Sequence, residues 1–269
     1  MIRVLKTDIF RAVRTKMFYV FPIFMVLFQV AEFLLQAVKI ETETGETRPV
    51  LNEFIFSAPD LFSRLGDGMI MLFLGLFLAA FCNDESKNGF CKNVAGRVAD
   101  RAYMPVSKMI VGTLALFAYI VEAVVIRTGF VAMQFAFAGK KLVWTALPDA
   151  DKKGFITFLV LCIIGHIAFA AFLVLSHELL HSRAFGMVFA FLFSTAMLDQ
   201  LLFMLQEILK SQFGILKDVE LGKYLMVTMM SEGWKSPLYS SGRLFLIAMI
   251  IGIPSAVAAI AVARKKDVS

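Results

Sequence analysis

The stretch FITFLVLCIIGHIAFAAFLVL, residues 155–175, decides the fold class of this chain. Its 21 residues include no Asp, Glu, Lys or Arg. As an α-helix the stretch would extend about 32 Å, and the hydrocarbon core of a bilayer is about 30 Å thick. The stretch therefore predicts a membrane-spanning helix.

Further apolar runs of the same kind are separated by charged segments. Hydrophobic residues make up 59% of the 269 positions, with a mean hydropathy of +0.77, whereas soluble domains are about half apolar by a count that also includes glycine. The run at 69–82 is short and requires local thinning of the bilayer, and the run at 109–138 is long and requires tilt. We predict an all-α polytopic membrane protein with six spans, at 17–35, 69–82, 109–138, 155–175, 185–205 and 244–263.

Lys and Arg are distributed unevenly between the two predicted sides of the membrane. With both termini inside, the inner segments hold 14 Lys and Arg against 6 Asp and Glu in 56 residues, and the outer segments hold 12 against 12 in 83 residues. Because cytoplasmic loops carry excess Lys and Arg, this difference predicts an N-in, C-in topology. It also accounts for the net charge of +6 without nucleic-acid binding. The inner segments are 1–16, 83–108, 176–183 and 264–269, and the outer segments are 38–68, 139–153 and 207–243.

Two segments outside the spans carry helical or interfacial patterns. In 1–16, apolar residues recur at helical spacing beside five Lys and Arg, which predicts an amphipathic helix lying on anionic headgroups; a plain basic cytosolic tail is the alternative. The Met and Trp content of 207–243 favours a re-entrant or interfacial element over an ordinary surface loop. The longest inner segment, 83–108, has 26 residues, so we treat 1–269 as a single transmembrane domain.

The stretch HELLH, residues 177–181, fits the H-E-x-x-H spacing that presents two imidazoles to zinc beside a glutamate base. A catalytic zinc site also needs a third protein ligand and an open position. By helical rise, Asp199 lies roughly 20 Å and His166 roughly 16 Å from the inner end, and only the carboxylates at the end of span two are on the correct side. We predict a polar turn at His177 and His181 without a metal. A structural or adventitious metal site and a membrane-embedded zinc metalloprotease remain the alternatives.

Five ionisable residues interrupt the apolar runs: Glu32, Glu122, Arg127, His166 and Asp199. A charge at the bilayer centre costs about 2.5 kcal/mol or more, so such residues pair between helices or line a polar pathway. Glu122 and Arg127 are separated by about 140° around a helix and are poorly placed to pair with each other. The alternative is that Glu32, Arg127 and Asp199 reach the outer interface with their polar ends. Glu122 is the deepest of these and the best pathway candidate.

The segment FCNDESKNGFCKNVAGRVADRAYMPVSKMIVG, residues 81–112, joins the second and third spans. Its order is an acidic residue, Lys-Asn-Gly-Phe-x-Lys-Asn, a Gly-Arg pair, and Ser-Lys at the mouth of the next span. This order resembles the inner loop of ABC-2-type exporter permeases, although Ser86 replaces their aromatic residue and Phe90-Cys91 replaces their Thr-Ile. A solvated loop would explain the charges alone, but not their order. The resemblance extends to the layout of the whole chain and is closest to the Gram-positive peptide exporters, of the phenol-soluble modulin and lantibiotic-immunity types.

The resemblance implies a permease subunit rather than an enzyme. Such a subunit pairs with a second permease chain, identical or not, and with a cytosolic ABC ATPase that binds ATP and Mg²⁺. The chain has no G-x-x-x-x-G-K-[ST] motif of its own. The expected cargo is a hydrophobic or amphipathic peptide, such as an antimicrobial peptide, exported across a bacterial cell membrane; a passive structural membrane protein is a further alternative. The residues expected to couple to the ATPase are Asp84, Glu85, Lys87, Asn88, Gly89, Lys92, Asn93, Gly96, Arg97 and Arg101.

Overall fold

The computed structural model of the protein describes residues 1–44, 56–87, 100–137, 144–213 and 221–265. These ranges are mainly helical, with short 3-10 helices at Lys16–Tyr19 and Leu221–Tyr224. The α-helices are α1 (Ile2–Arg14), α2 (Val20–Thr44), α3 (Ala58–Leu61), α4 (Ser63–Gly66), α5 (Met69–Lys87), α6 (Tyr103–Phe137), α7 (Asp149–Leu180), α8 (Arg183–Ser194), α9 (Met197–Phe213), α10 (Met226–Glu232) and α11 (Ser241–Lys265).

Three of the described helices, α6, α7 and α11, are long and apolar enough to cross a membrane. Two bent helix pairs each provide one further candidate span if the pair is counted as one crossing. They are α1 with the start of α2, bent by 57°, and α8 with α9, bent by 66°. The apolar part of α5, Met69–Asp84, is shorter, as the brevity of the run at 69–82 predicts. The helical, membrane-embedded character predicted from the sequence is confirmed, with three to five candidate spans in the described part of the chain.

A break between α8 and α9 replaces the continuous span predicted at 185–205. α8 ends at Ser194, Ala196 has a left-handed φ of 53°, and α9 then continues in a new direction. The hydroxyls of Ser194 and Thr195 both donate to the carbonyl of Phe191, over 3.3 and 2.7 Å. Such side-chain bonds to the carbonyl of the preceding turn slightly destabilise a helix and often accompany a bend.

One small feature is absent from the all-α prediction. β1 (Phe56–Ser57) and β2 (Trp144–Thr145) pair in parallel over two residues. The rings of Phe56 and Trp144 meet edge to face, with centroids 5.4 Å apart. Strands of two residues are too short to leave an alternating hydrophobic pattern, so the sequence does not reveal them.

Small residues allow close helix packing in the core. A Cβ added to Gly75 of α5 would lie 2.4 Å from the Cβ of Ala190 in α8, and one added to Gly252 of α11 would lie 3.0 Å from the Cβ of Ala168 in α7. Small residues at helix interfaces permit this approach between membrane helices, where van der Waals packing drives association. Large rings are almost fully buried in the same core, including Phe21, Phe77, Tyr119 and Phe169.

Large apolar side chains cover the outward faces of three helices. A soluble protein rarely exposes so many large apolar residues, and contiguous exposed apolar surface marks contact with a membrane or another protein. The pattern agrees with the apolar runs of the sequence. The exposed residues include Leu114, Phe117, Val121 and Val125 of α6, Leu201, Met204, Leu205 and Ile208 of α9, and Leu246, Ile250, Ile253 and Val257 of α11.

Candidate functional site

Two consecutive residues near the start of α6 connect it to two other helices. Ser107 and Lys108 are buried, at 0% and 2% exposure. The Ser107 hydroxyl donates to the Asp8 carboxylate of α1 over 2.6 Å, and the Lys108 ammonium donates to the Glu178 carboxylate of α7 over 2.7 Å. Successive helical positions point about 100° apart, which lets neighbours reach different partners. We call Asp8, Ser107, Lys108 and Glu178 the buried polar cluster.

The ion pair between Lys108 and Glu178 is nearly dry, with side chains 3% and 8% exposed. Removing one partner of such a pair costs about 3–5 kcal/mol, because the other charge stays buried without compensation. Asp8, 1% exposed, also accepts from the Arg11 guanidinium over 3.1 Å. The cluster therefore fixes α1, α6 and α7 to one another at one end of the bundle.

A second contact ties the segment before α6 to the end of α11. Arg264 donates to both carboxylate oxygens of Asp100, over 3.3 and 2.8 Å. This guanidinium, together with the Ala102 N–H, holds the pKa of the Asp100 carboxyl below its usual value. The chain that leads into α6 is thus anchored just before the helix begins.

The residues predicted to couple to an ATPase are only partly described. Asp84 lies near the end of α5 and lines a cleft beside α1. Arg101 is half-buried in the turn before α6. Glu85 and Lys87 belong to the last turns of α5. The other predicted coupling residues, Asn88, Gly89, Lys92, Asn93, Gly96 and Arg97, lie outside the described residues.

The HELLH stretch ends α7, and its glutamate contacts a lysine. Glu178 is the residue paired with Lys108, whereas a zinc protease needs it to act on water. His181 terminates the helix with a left-handed φ of 52°, and the His177 and His181 ring centroids are 6.1 Å apart. No group of three or more His, Cys, Asp or Glu side chains able to hold a metal occurs among the described residues. The stretch forms the polar end of α7 and contacts α6 through the ion pair of Glu178 with Lys108.

Arg127 pairs between helices instead of along its own. It donates to Gln29 over 2.7 Å and to Glu32 over 3.2 Å, both on α2. Glu32 also accepts from Arg64 of α4 over 2.9 Å, and Arg64 reaches Asp67 over 2.8 Å. Inter-helix pairing was one of the two outcomes expected for Arg127, but Gln29 and Arg64 were missed. Neither residue lies in a sequence motif that would predict its partner, which is Arg127 for Gln29 and Glu32 for Arg64.

Asp199 holds a short helix in the segment between α9 and α11. Its carboxylate accepts from the N–H and the hydroxyl of Thr228, over 3.0 and 2.6 Å. Thr228 lies in the first turn of α10, whose N–H groups have no partner within the helix. Met226, Val227, Met229 and Met230 of α10 are buried. The carboxylate predicted to line a pathway therefore caps a packed helix.

Glu122 and His166 each keep a buried polar atom without a partner. Within the described ranges, Glu122 Oε2 and His166 Nε2 make no hydrogen bond, and neither does the hydroxyl of Tyr119, one turn before Glu122. His166 is fully buried, with Nδ1 2.7 Å from the Cys162 carbonyl oxygen. Unsatisfied buried polar groups cost free energy and often mark functional positions, so these two keep their place as pathway candidates.

The chain matches no protein-family model, and no curated protein matches it in sequence. Function is therefore inferred from the residues and their contacts.

Proposed function

We propose that the chain is the membrane-spanning permease subunit of an ATP-driven exporter of the ABC-2 type. It would work with a second permease chain and with cytosolic ATPase subunits that hold ATP and Mg²⁺. The supporting observation is the buried polar cluster, because it joins α6 to α1 and α7 directly after the segment 83–108. A push on this segment would move three helices as one body, which is how a rigid-body transition transmits closure of a partner.

Six spans with both termini inside are the topology we propose. Three contacts join the predicted inner segments at one end of the bundle. They are Ser107 with Asp8, Lys108 with Glu178, and Arg264 with Asp100. At the other end, two predicted outer residues form an ion pair, Lys235 with Asp151 over 2.7 Å. The ring of Trp234, also in a predicted outer segment, lies 6.1 Å from that of Phe155, the first residue of the span predicted at 155–175.

The broken helix pair fits one crossing in this topology. α8 begins at Arg183, three residues after Leu180 at the end of α7, and Ser194 at its other end packs against Gly68, just before α5. α9 then turns by 66° with apolar residues exposed, as expected for a helix near the outer interface. α5 would need a locally thin bilayer, since its apolar part is short.

The cargo we propose is a hydrophobic or amphipathic peptide, moved outward across a bacterial cell membrane. The support is the resemblance of the inner loop to peptide exporters. Glu122 and His166 are the candidate polar positions along the route. The zinc-protease alternative has less support, because its required base, Glu178, is paired with Lys108.

Affinity purification in mild detergent tests the proposal. The tagged chain should retain a Walker-motif ATPase in near-stoichiometric amount, identified by mass spectrometry. Scrambling residues 88–99 should remove the ATPase, whereas scrambling 45–55, a predicted outer stretch of similar length, should leave it bound. Absence of any ATPase from the wild-type preparation, under conditions that preserve other transporter complexes, would contradict the proposal.

A further inference from the structure

A basic cleft lies at the corner where α1 leads toward α2. It has a volume of about 660 Å³ and is open on one side. Its charged lining consists of four cations, Arg11, Arg14, Lys16 and Arg183, and one carboxylate, Asp84. We call this set the basic cleft.

The bend of the chain creates the basic cleft. α1 ends at Arg14, the backbone is extended at Thr15, and the next helix begins at Lys16 after a 57° change of direction. Arg14 and Lys16 therefore both lie at the corner. The opposite wall is Arg183, the first residue of α8. Because the Ser182 side chain makes no capping bond, the amide groups at this helix start add further positive potential.

Three of the four cations in the basic cleft have no acidic partner among the residues that the structure describes. Arg14, Lys16 and Arg183 form no ion pair within the ranges that the structure describes, and Arg183 Nε is buried there without a hydrogen-bond partner. Arg11 is paired with Asp8. Arginine side chains bind phosphate and carboxylate groups through charge-assisted hydrogen bonds, so this arrangement calls for an anion.

Apolar surface beside the basic cleft favours an amphiphile over a small ion. Phe10 lines the cleft, is 56% exposed, and lies 4.1 Å below the Arg14 guanidinium. The adjacent face of α1 borders an apolar groove of about 170 Å³, lined by Ile9, Val13 and Leu114 among others. A helix with basic and apolar faces of this kind lies at the headgroup level of a bilayer.

We propose that the basic cleft binds the phosphate headgroup of an anionic phospholipid. Arg14, Lys16 and Arg183 contact the phosphate, while Phe10 lies against the glycerol and acyl region. Free inorganic phosphate shares the headgroup chemistry but gains nothing from the apolar surface. The site requires only that the chain is in a membrane; it does not require the ATPase partner.

Native mass spectrometry of the purified full chain tests the site. The detergent-solubilised protein is titrated with phosphatidylglycerol, with phosphatidylcholine, and with phosphatidylglycerol in the presence of inorganic phosphate. We expect phosphatidylglycerol to bind about tenfold more tightly than phosphatidylcholine, since each cation near the surface contributes about 1 kcal/mol toward an anionic lipid. Millimolar inorganic phosphate should not displace it.

Matched variants separate the basic cleft from general attraction to the helix. Arg14→Gln with Arg183→Gln should weaken phosphatidylglycerol binding about tenfold or more, and Asp84→Asn should strengthen it. Arg3→Gln with Lys6→Gln removes the same charge from exposed positions of α1 outside the cleft. This pair should weaken binding by a clearly smaller factor than the cleft variant, because attraction without direct contact is screened with distance. If the double cleft variant fails to fold, Lys16→Gln alone, at an exposed corner position, should still weaken binding.

Three results would overturn the proposal. Equal binding of both lipids would show that charge is not recognised. Equal losses in the cleft and control variants would show a diffuse attraction to α1. Displacement of the lipid by inorganic phosphate would show a site for the free anion.

Discussion

At the scale of single residues, the contact of Lys108 with Glu178 has the clearest structural consequence. Its ammonium and the Glu178 carboxylate are almost completely removed from water. Losing one partner is costly, whereas replacing both partners by apolar residues of similar volume is often neutral or stabilising. A single and a double substitution therefore separate the cost of a lone buried charge from the contribution of the pair itself.

Lys108→Met should lower the free energy of unfolding by about 3 kcal/mol. Lys108→Met combined with Glu178→Leu should return to within about 1 kcal/mol of the wild type, because no charge is left buried alone. Thermal unfolding followed by size-exclusion chromatography in one detergent measures both variants. Equal destabilisation of the single and double variants would contradict the account of this pair.

The purified chain should not carry zinc in stoichiometric amount. The described residues offer these two imidazoles no third ligand, and two imidazoles alone bind zinc weakly. Glu178 is engaged by Lys108. Elemental analysis of the wild type and of His177→Ala with His181→Ala gives the comparison. One zinc per chain, lost in the variant, would make the protease alternative the better supported function.

Asp100 should titrate below the ordinary aspartate pKa of 3.8, because Arg264 stabilises its charged form. A depressed pKa means that the contact contributes stability above the pKa of the unfolded chain, and that this contribution is lost as the pH falls through the folded pKa. Carbon-13 NMR of the Asp100 carboxyl measures the midpoint. Arg264→Gln should raise it toward 3.8, and an unchanged midpoint would argue against the ion pair.

At the scale of elements, the long apolar helices follow from the sequence and the break after Ser194 does not. α7 and α11 cover the runs predicted at 155–175 and 244–263 and extend beyond both of their ends. α6 begins six residues before the run predicted at 109–138 and is described to Phe137. Apolar residues predominate across 185–205 despite Ser194, Thr195 and Asp199, so hydropathy indicates one helix. The left-handed Ala196 that separates α8 from α9 carries no sequence signal, because alanine is a good helix former.

Gly75→Ala should destabilise the packing of α5 on α8. The added methyl would lie 2.4 Å from the Ala190 Cβ, and overpacking costs about 1–3 kcal/mol. The second substitution Ala190→Gly should recover part of the loss by removing that Cβ. Gly129→Ala is the matched control, because nothing lies within 4 Å of its added Cβ. Thermal unfolding in detergent measures all three, and a Gly75→Ala variant as stable as Gly129→Ala would contradict the close approach.

At the scale of the whole molecule, composition predicts membrane embedding, but the partners of its polar residues depend on which helices are neighbours. Ser107 and Asp8 are 99 positions apart, and Arg127 and Gln29 are 98 apart. Helical periodicity indicates which face of a helix is apolar, and it does not identify the helix packed against that face. For the inner loop, a coupling role is what the resemblance to ABC-2-type permeases implies, and residues 88–99 of this loop lie outside the described residues.

The measurement that tests the central claim most directly is photocross-linking in intact cells at position 97. Arg97→benzoylphenylalanine places a photoreactive group in the proposed coupling segment, and the same substitution at Thr47 places one in a predicted outer segment. The account predicts a cross-link from position 97 to an ATP-binding cytosolic protein and none to that protein from position 47. If both variants insert into the membrane and neither cross-links to an ATP-binding cytosolic protein, the assignment of this chain as an exporter permease is contradicted.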